Sequence, residues 1–241
     1  MSENIKKITK AFVIDLDSRE NQNIILKPSA RPFNNQAHQV NEVVKKIAEK
    51  IYKLIKDAKH PNDDIILNHN KIKEAFFSPF KPQLKDAQVF LSHSHADKNK
   101  VLKVKNYLES ETNHRVFIDS LFWDYKDGVL NELAKYDDTS KIKDAFTLIL
   151  RESLQDMIEK CPYFVFLESK NSVSNQGLSC ITYSAWIYEE LKIANGLIAD
   201  SALQESCIKA MHVSHNITNL LRRFKLISLD GLCNEIFSTL L

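Results

Sequence analysis

The chain has 241 residues, of which 44% are hydrophobic, and this is enough to bury the core of one or two domains. Lysine and arginine total 33 against 31 acidic residues, so the net charge is only +2. This balance gives no electrostatic reason to expect a nucleic-acid partner, because a nucleic-acid-binding protein normally shows a basic face or stripe.

Glycine and cysteine usage narrows the classes of protein further. The four glycines lie far apart, so the sequence contains neither a P-loop motif nor the glycine-rich turn of a Rossmann dehydrogenase. The four cysteines form no C-x-x-C pair, which is typical of reduced thiols in a cytoplasmic protein. No apolar run reaches the ~20 residues of a membrane span. We therefore expect a soluble, cytoplasmic protein without a membrane partner.

Residues 1–84 are predicted to form an N-terminal extension. Residues 11–16 are rich in β-forming side chains and predict a strand, and residues 23–26 predict a second one, so that the two form a short hairpin. Apolar residues then recur at helical spacing over residues 37–58 and predict a long amphipathic helix. The pattern of polar and apolar residues changes near residue 84, where we place a domain boundary.

Residues 85–241 alternate between strand and helix patterns. Strands are predicted at 88–91, 115–119 and 163–167, and helices at 98–109, 141–160 and 183–194. Loops are predicted at 120–127 and 169–180, with weaker signals for strands at 210–213 and 224–229 and a closing helix at 234–240. This alternation predicts an α/β fold in which helices flank a parallel sheet. Ligands of such sheets bind at the carboxyl ends of the strands.

A polar turn follows the first predicted strand of this region and contains Ser92, His93 and Asp97. Asp97 or Ser94 is expected to cap the next helix, and the free N–H groups of a helix start suit phosphates. The alternative is a metal site, because His93, His95 and Asp97 have the spacing that opens a zinc-hydrolase motif. Lys98 stands where that motif needs another histidine, and we predict no metal ligand.

Asp119 ends the second predicted strand of this region and precedes the aromatic residues Phe122, Trp123 and Tyr125. Aromatic rings in such a loop can stack on a nicotinamide or an adenine ring. The alternative is that they only pack the loop onto the protein. The sequence does not distinguish these two roles.

The segment with the most chemical content contains Tyr183, Trp186 and Glu190. Trp186 and Glu190 are four residues apart, so a helix places both side chains on one face. A carboxylate beside an aromatic surface can bind a ribose and stabilise positive charge that develops on the sugar. Because Glu189 is adjacent, the sequence leaves open which of the two glutamates faces the site.

Residues 85–241 resemble a TIR domain through the segments 89–97, 116–119, 161–168 and 183–190, and they are most similar in character to the bacterial, Thoeris-like TIR proteins of anti-phage defence. The resemblance implies a flavodoxin-like sheet and an enzyme that cleaves the nicotinamide–ribose bond of its substrate NAD, without a cofactor, with Glu190 as the catalytic carboxylate. It implies that the substrate is bound by Ser92, His93, Asp97, Asp119, Phe122, Trp123, Tyr183 and Trp186.

The resemblance also implies a homo-oligomer whose product, ADP-ribose or a cyclic ADP-ribose signal, acts on a downstream effector. The sequence does not distinguish a linear from a cyclic product. The alternative function is a non-enzymatic, TIR-like module that acts by self-association. A third, weaker option is a nucleotide-sugar hydrolase or deoxyribosyltransferase, which uses a related sheet and a glutamate nucleophile.

Overall fold

The computed structural model describes residues 10–27, 36–57, 69–79, 86–136, 140–176, 179–198 and 214–238. Within these ranges the side chains of residues 36–43, 69, 121–124, 140–145 and 176 lie outside the description. The chain divides into two compact units, one formed by Met1–Ser29, Asp86–Asp119 and Gln155–Leu241, the other by Ala30–Lys85 and Ser120–Leu154. These units differ from the predicted division into residues 1–84 and 85–241, because the N-terminal strand belongs to the sheet.

The elements follow one another in the expected α/β order. The strands are β1 (Lys10–Asp15), β2 (Ala87–Ser92), β3 (Arg115–Ile118), β4 (Tyr163–Glu168), β5 (Ser174–Gln176), β6 (Ser179–Thr182), β7 (His215–Asn216) and β8 (Lys225–Leu226). The helices are α1 (Arg19–Ile25), α2 (Gln36–Asp57), α3 (His69–Phe77), α4 (Lys98–Thr112), α5 (Ser120–Leu133), α6 (Ser140–Lys160), α7 (Ala185–Leu197), α8 (Thr218–Leu221) and α9 (Leu229–Ser238).

The first unit is built on a five-stranded parallel sheet with the strand order β3-β2-β4-β1-β8. Its inner strands are continuous apolar runs, because a parallel sheet flanked by helices buries both of its faces. The rings of Phe90 and Phe164 are register partners on β2 and β4 and stack with centroids 5.6 Å apart. The predicted α/β class with a parallel sheet is confirmed.

The N-terminal strand occupies an interior position of the sheet. Counted from β2, the strand order is the 2-1-3-4-5 of flavodoxin-like sheets, except that β1 fills the fourth position. The predicted hairpin is wrong, because β1 pairs in parallel with β4 and β8, and residues 19–25 form helix α1. Ser18 starts that helix by accepting a hydrogen bond from the backbone N–H of Asn21 at 3.3 Å.

The second unit contains helices α2, α3 and α5 and the first part of α6. The predicted amphipathic helix is confirmed as α2, which buries Val44, Ile47, Ala48, Ile51 and Ile55. The interior of this unit is aromatic. Tyr125 donates a hydrogen bond to the carbonyl of Phe76 at 3.0 Å, and the ring of Phe76 meets that of Phe146 edge to face. The predicted stacking of Tyr125 on a ligand ring is therefore wrong, because its side chain is buried in this interior.

Two segments that were predicted to be loops contain regular secondary structure. The aromatic loop predicted at 120–127 is wrong, because this stretch belongs to helix α5 and holds no proline that would stop it. A Cβ on Gly128 would lie 3.3 Å from two methyl carbons of Val44, so the glycine permits a close approach of α5 to α2. The polar loop at 169–180 contains β5 and the start of β6, which form a small antiparallel sheet with β7.

The predicted elements of the C-terminal region differ in part from those of the structure. The strand predicted at 210–213 lies outside the described residues. The strand predicted at 224–229 is reduced to the two residues of β8, and the closing helix α9 begins at Leu229 rather than at residue 234. In the part of the chain that the structure describes, no helix combines the length and the apolar character needed to cross a membrane.

The edge strand β3 is protected by side chains of α4. Lys105 Nζ donates to the carbonyl of Val116 at 2.7 Å, and Glu109 Oε1 accepts from the N–H of the same residue at 3.0 Å. Lys105 and Glu109 also pair with each other. Both backbone groups of Val116 are therefore satisfied without a further strand, which removes a site for edge-to-edge aggregation.

Replacing Lys105 by methionine should destabilise the protein by about 1–3 kcal/mol, because the carbonyl of Val116 loses its buried donor. Urea unfolding measures this change, and Lys103→Met on the same helix is the matched control with little expected effect. Equal effects of the two substitutions would contradict this role for Lys105.

Candidate functional site

The strand order places a topological switch point between β2 and β4 at the carboxyl edge of the sheet. The chain leaves β2 for β3 on one side and returns to β4 on the other side, so the connections diverge between these two strands. Ser92, the last residue of β2, is the register partner of Phe166 in β4. Ligands of open α/β sheets bind at such a switch point, outside the carboxyl ends of the strands.

Glu190 on helix α7 reaches this edge. Ser184 caps the helix by accepting a hydrogen bond from the N–H of Ile187 at 3.3 Å, which fixes where the helix begins. The Glu190 side chain is 0% exposed, and its Oε2 accepts a hydrogen bond from Ser92 Oγ at 2.5 Å. Glu189 is partly exposed. Of the two adjacent glutamates, Glu190 is therefore the one that faces the carboxyl edge of the sheet.

A buried pair of charged groups lies beside this contact. His93 Nδ1 is 3.0 Å from Asp119 Oδ1, and both side chains are buried. His93 Nδ1 also lies 3.4 Å from the carbonyl oxygen of Leu91. Asp119 directly follows β3, the neighbour of β2, so the ends of two adjacent strands bring the pair together. We refer to Ser92, His93, Asp119 and Glu190 as the buried cluster.

Burial and mutual charge perturb the titration of the buried cluster. Burial raises the pKa of Glu190 well above its ordinary value, and the neighbouring Asp119 carboxylate raises it further, while the Ser92 hydrogen bond opposes this shift. Burial by itself lowers the pKa of His93, but the charge and hydrogen bond of Asp119 outweigh it and raise the pKa of His93 overall. The cluster thus favours a protonated imidazole and a neutral Glu190.

Glu190 Oε1 and His93 Nε2 are buried and make no hydrogen bond to the described residues. A buried carboxylate oxygen without a donor is costly, whereas a proton on that oxygen converts it into a donor. A neutral Glu190 can donate this proton toward the Asp119 carboxylate. The hydrogen-bond geometry and the charges therefore favour the same state of Glu190.

Asp97 has a different role from the one expected. Asp97 is the N-cap residue of α4, but its side chain makes no capping hydrogen bond, and the Ser94 side chain makes none either, so the predicted side-chain cap is wrong. Instead Asp97 Oδ2 accepts from Ser169 Oγ at 2.5 Å, and Oδ1 accepts from Asn171 Nδ2 at 2.8 Å. These bonds tie the turn after β2 to the loop after β4. The sequence analysis missed Ser169 and Asn171, although polar residues directly after a buried strand were the signal that could have found them.

The remaining predicted site residues lie outside the buried cluster. Tyr183 is 65% exposed before α7, and Trp186 is partly exposed one helical turn before Glu190. Phe122 and Trp123 belong to helix α5, and their side chains lie outside the described residues. The substrate-binding role of these four residues stays a prediction.

A metal centre gains no support from the geometry. Across the described ranges there is no group of three or more histidine, cysteine or acidic side chains arranged to hold a metal ion. In the segment that resembles a zinc motif, His93 pairs with Asp119, Asp97 is occupied by Ser169 and Asn171, and His95 is exposed.

Comparison of the chain with protein-family models, with curated proteins and with solved structures finds no match. A function is therefore inferred from the chemistry of the buried cluster and from the motifs in the sequence.

The raised pKa of Glu190 predicts a pH-dependent stability. Unfolded Glu190 loses its proton near its ordinary pKa of 4.5, whereas folded Glu190 keeps it to higher pH. Folding then binds a proton, so the free energy of unfolding falls as pH rises from this value through the raised pKa, by on the order of 1 kcal/mol per pH unit. Glu190→Gln should lack this contribution, and Glu189→Gln should retain it.

Urea unfolding of the three proteins at a series of pH values measures this contribution directly. The stability of Glu190→Gln relative to the wild type should grow with pH. A constant difference between the two proteins would show that Glu190 ionises in the folded protein as it does in water.

Proposed function

We propose that this chain is a TIR-type enzyme that cleaves NAD, with Glu190 as the catalytic carboxylate. The observation that carries the proposal is the 2.5 Å hydrogen bond between Ser92 Oγ and Glu190 Oε2. It joins the end of β2 to helix α7, which carry two of the four segments through which the chain resembles TIR domains. It also lies where open α/β sheets bind their ligands.

Cleavage of the nicotinamide–ribose bond requires one well-placed carboxylate. The nicotinamide of NAD is already a cationic leaving group, so cleavage of its bond to the ribose needs little acid assistance. As the bond breaks, positive charge develops on the sugar, and an ionised Glu190 in a weakly hydrated site would stabilise that charge. Capture of the ribosyl cation by water gives ADP-ribose and releases one proton, whereas capture by the adenine of the same molecule gives a cyclic product.

Access to Glu190 requires a change in the site. A side chain with no exposed surface cannot touch a substrate, and a neutral carboxyl group cannot stabilise a cation. The Ser92–Glu190 hydrogen bond must therefore open, and Glu190 must lose its proton, before catalysis begins. Such a closed resting site suits a bacterial anti-phage protein that is silent until it is triggered, acts in the cytoplasm as a homo-oligomer and signals to a downstream effector through its product.

The second candidate is a non-enzymatic TIR-like module that works by self-association. The complete burial of Glu190 favours it, because a carboxyl group that only satisfies Ser92 and Asp119 is a structural core residue. In that case Glu190 would contribute to stability alone.

Nicotinamide release from NAD distinguishes the two functions. Purified protein at high concentration, with a crowding agent, should release nicotinamide, which chromatography detects together with the linear or cyclic product. Glu190→Gln should lower the rate by about 10²–10³-fold, because it removes the charge that stabilises the ribosyl cation.

The matched control is Glu189→Gln, which changes the adjacent, partly exposed glutamate and should leave the rate within about twofold of wild type. If Glu190→Gln released nicotinamide as fast as Glu189→Gln, Glu190 would not be the catalytic carboxylate. Self-association of the wild type without any release of nicotinamide would favour the scaffold function.

A further inference from the structure

The buried cluster connects Glu190 to a histidine that the proposed chemistry does not use. Ser92 Oγ donates to Glu190 Oε2 at 2.5 Å, the Asp119 carboxyl group neighbours Glu190, and Asp119 Oδ1 lies 3.0 Å from His93 Nδ1. All four side chains are buried. They come from three separate segments, the end of β2 with the residue after it, the residue after β3, and helix α7.

The charges of the cluster can be counted. A protonated His93 with two ionised carboxylates would leave one uncompensated negative charge in the interior, which is strongly unfavourable. A single proton shared by the two carboxyl groups makes the cluster neutral. His93 lies against Asp119, so its charge stabilises the ionised form of Asp119, and the proton is left to Glu190.

The hydrogen bonds of Glu190 and Asp97 agree with this distribution. Glu190 Oε1 is buried without a hydrogen-bond partner among the described residues, so a proton there adds a donor where none is present. Asp97 is the further charged group that acts on His93, and its carboxylate also favours the protonated imidazole. Both oxygens of Asp97 already accept hydrogen bonds, from Ser169 and Asn171.

We propose that His93 is a positioning residue that acts through Asp119: its imidazolium holds Asp119 as the anion of the pair and keeps the one shared proton on Glu190 in the resting protein. The inference rests on the proposed function, since it assigns the control of the same carboxylate to His93 and Asp119. It gives these two residues a role that needs no contact with the substrate. Loss of the Glu190 proton is then the step that makes the catalytic carboxylate available.

Two substitutions should move the ionisation of Glu190 in opposite directions. His93→Asn keeps a side-chain donor near Asp119 but removes the positive charge, so the two carboxyl groups hold their proton to higher pH. Asp119→Asn keeps the shape but removes the negative charge beside Glu190, so Glu190 ionises at lower pH. Each shift should be about one pH unit or more, a tenfold change in proton affinity. A purely structural role of His93 predicts no such opposition.

Infrared difference spectroscopy of the full chain over a pH series tests the assignment without any substrate. A protonated carboxyl group gives a carbonyl band that a carboxylate lacks, and Glu190→Gln identifies which band belongs to Glu190. The wild type should show the Glu190 band at neutral pH. The midpoint of its loss should rise in His93→Asn, fall in Asp119→Asn, and stay unchanged in His95→Asn, which alters the exposed histidine two residues further on.

Absence of a Glu190 band from the wild type at neutral pH would overturn the proposal, even if the variants failed to fold. Equal or parallel shifts in His93→Asn and Asp119→Asn would also overturn it. Cooperative thermal melting confirms that each variant is folded, and His93→Gln serves as a second uncharged replacement.

The pH dependence of nicotinamide release separates this inference from the proposed function. The acid limb of the rate should follow the same midpoints as the infrared band. If the band behaves as expected and no nicotinamide is ever released, the proposed function fails and the control of the Glu190 proton stands. If nicotinamide is released with a pH profile that neither substitution moves, the proposed function stands and the inference fails.

Discussion

The hydrogen bond between Ser92 and Glu190 is the contact on which the site depends, because it joins residues 98 positions apart in the chain. Ser92 is fixed by its place at the end of a buried central strand, and Glu190 by a helix whose start is capped by Ser184. Asp119 and His93 pair with each other beside this contact, at the same edge of the sheet. His93 and Asp119 directly follow β2 and β3, so the sheet itself positions three of the four residues of the cluster.

A fully buried carboxyl group at the carboxyl edge of an α/β sheet is an energetic liability unless its environment favours the neutral form. Burial and the neighbouring Asp119 carboxylate favour the neutral form of Glu190, whereas the Ser92 hydrogen bond opposes it. The same arrangement makes Glu190 unsuited to catalysis in the resting state. Under the proposed function, stability and activity would impose opposite requirements on this one residue.

Local sequence patterns predicted the elements that position the site. Apolar runs indicated β2, β3 and β4, and apolar residues at helical spacing indicated α4, α6 and α7. Both patterns can be recognised because the periodicity of apolar residues reflects which side chains are buried. The position of β1 in the sheet could not be predicted, because the sequence of a parallel strand does not indicate which strands it pairs with. Helix α5 was missed because its aromatic residues suggested a ligand loop, and the partners of Asp97 were missed because they lie more than 70 residues away.

The most direct measurement of the central claim is a structure of the protein bound to a non-hydrolysable analogue of NAD. The account predicts that the Ser92–Glu190 contact is broken and that the Glu190 carboxyl group lies against the ribose carbon that bears the nicotinamide. An analogue bound elsewhere, with Glu190 still buried against Ser92, would contradict it.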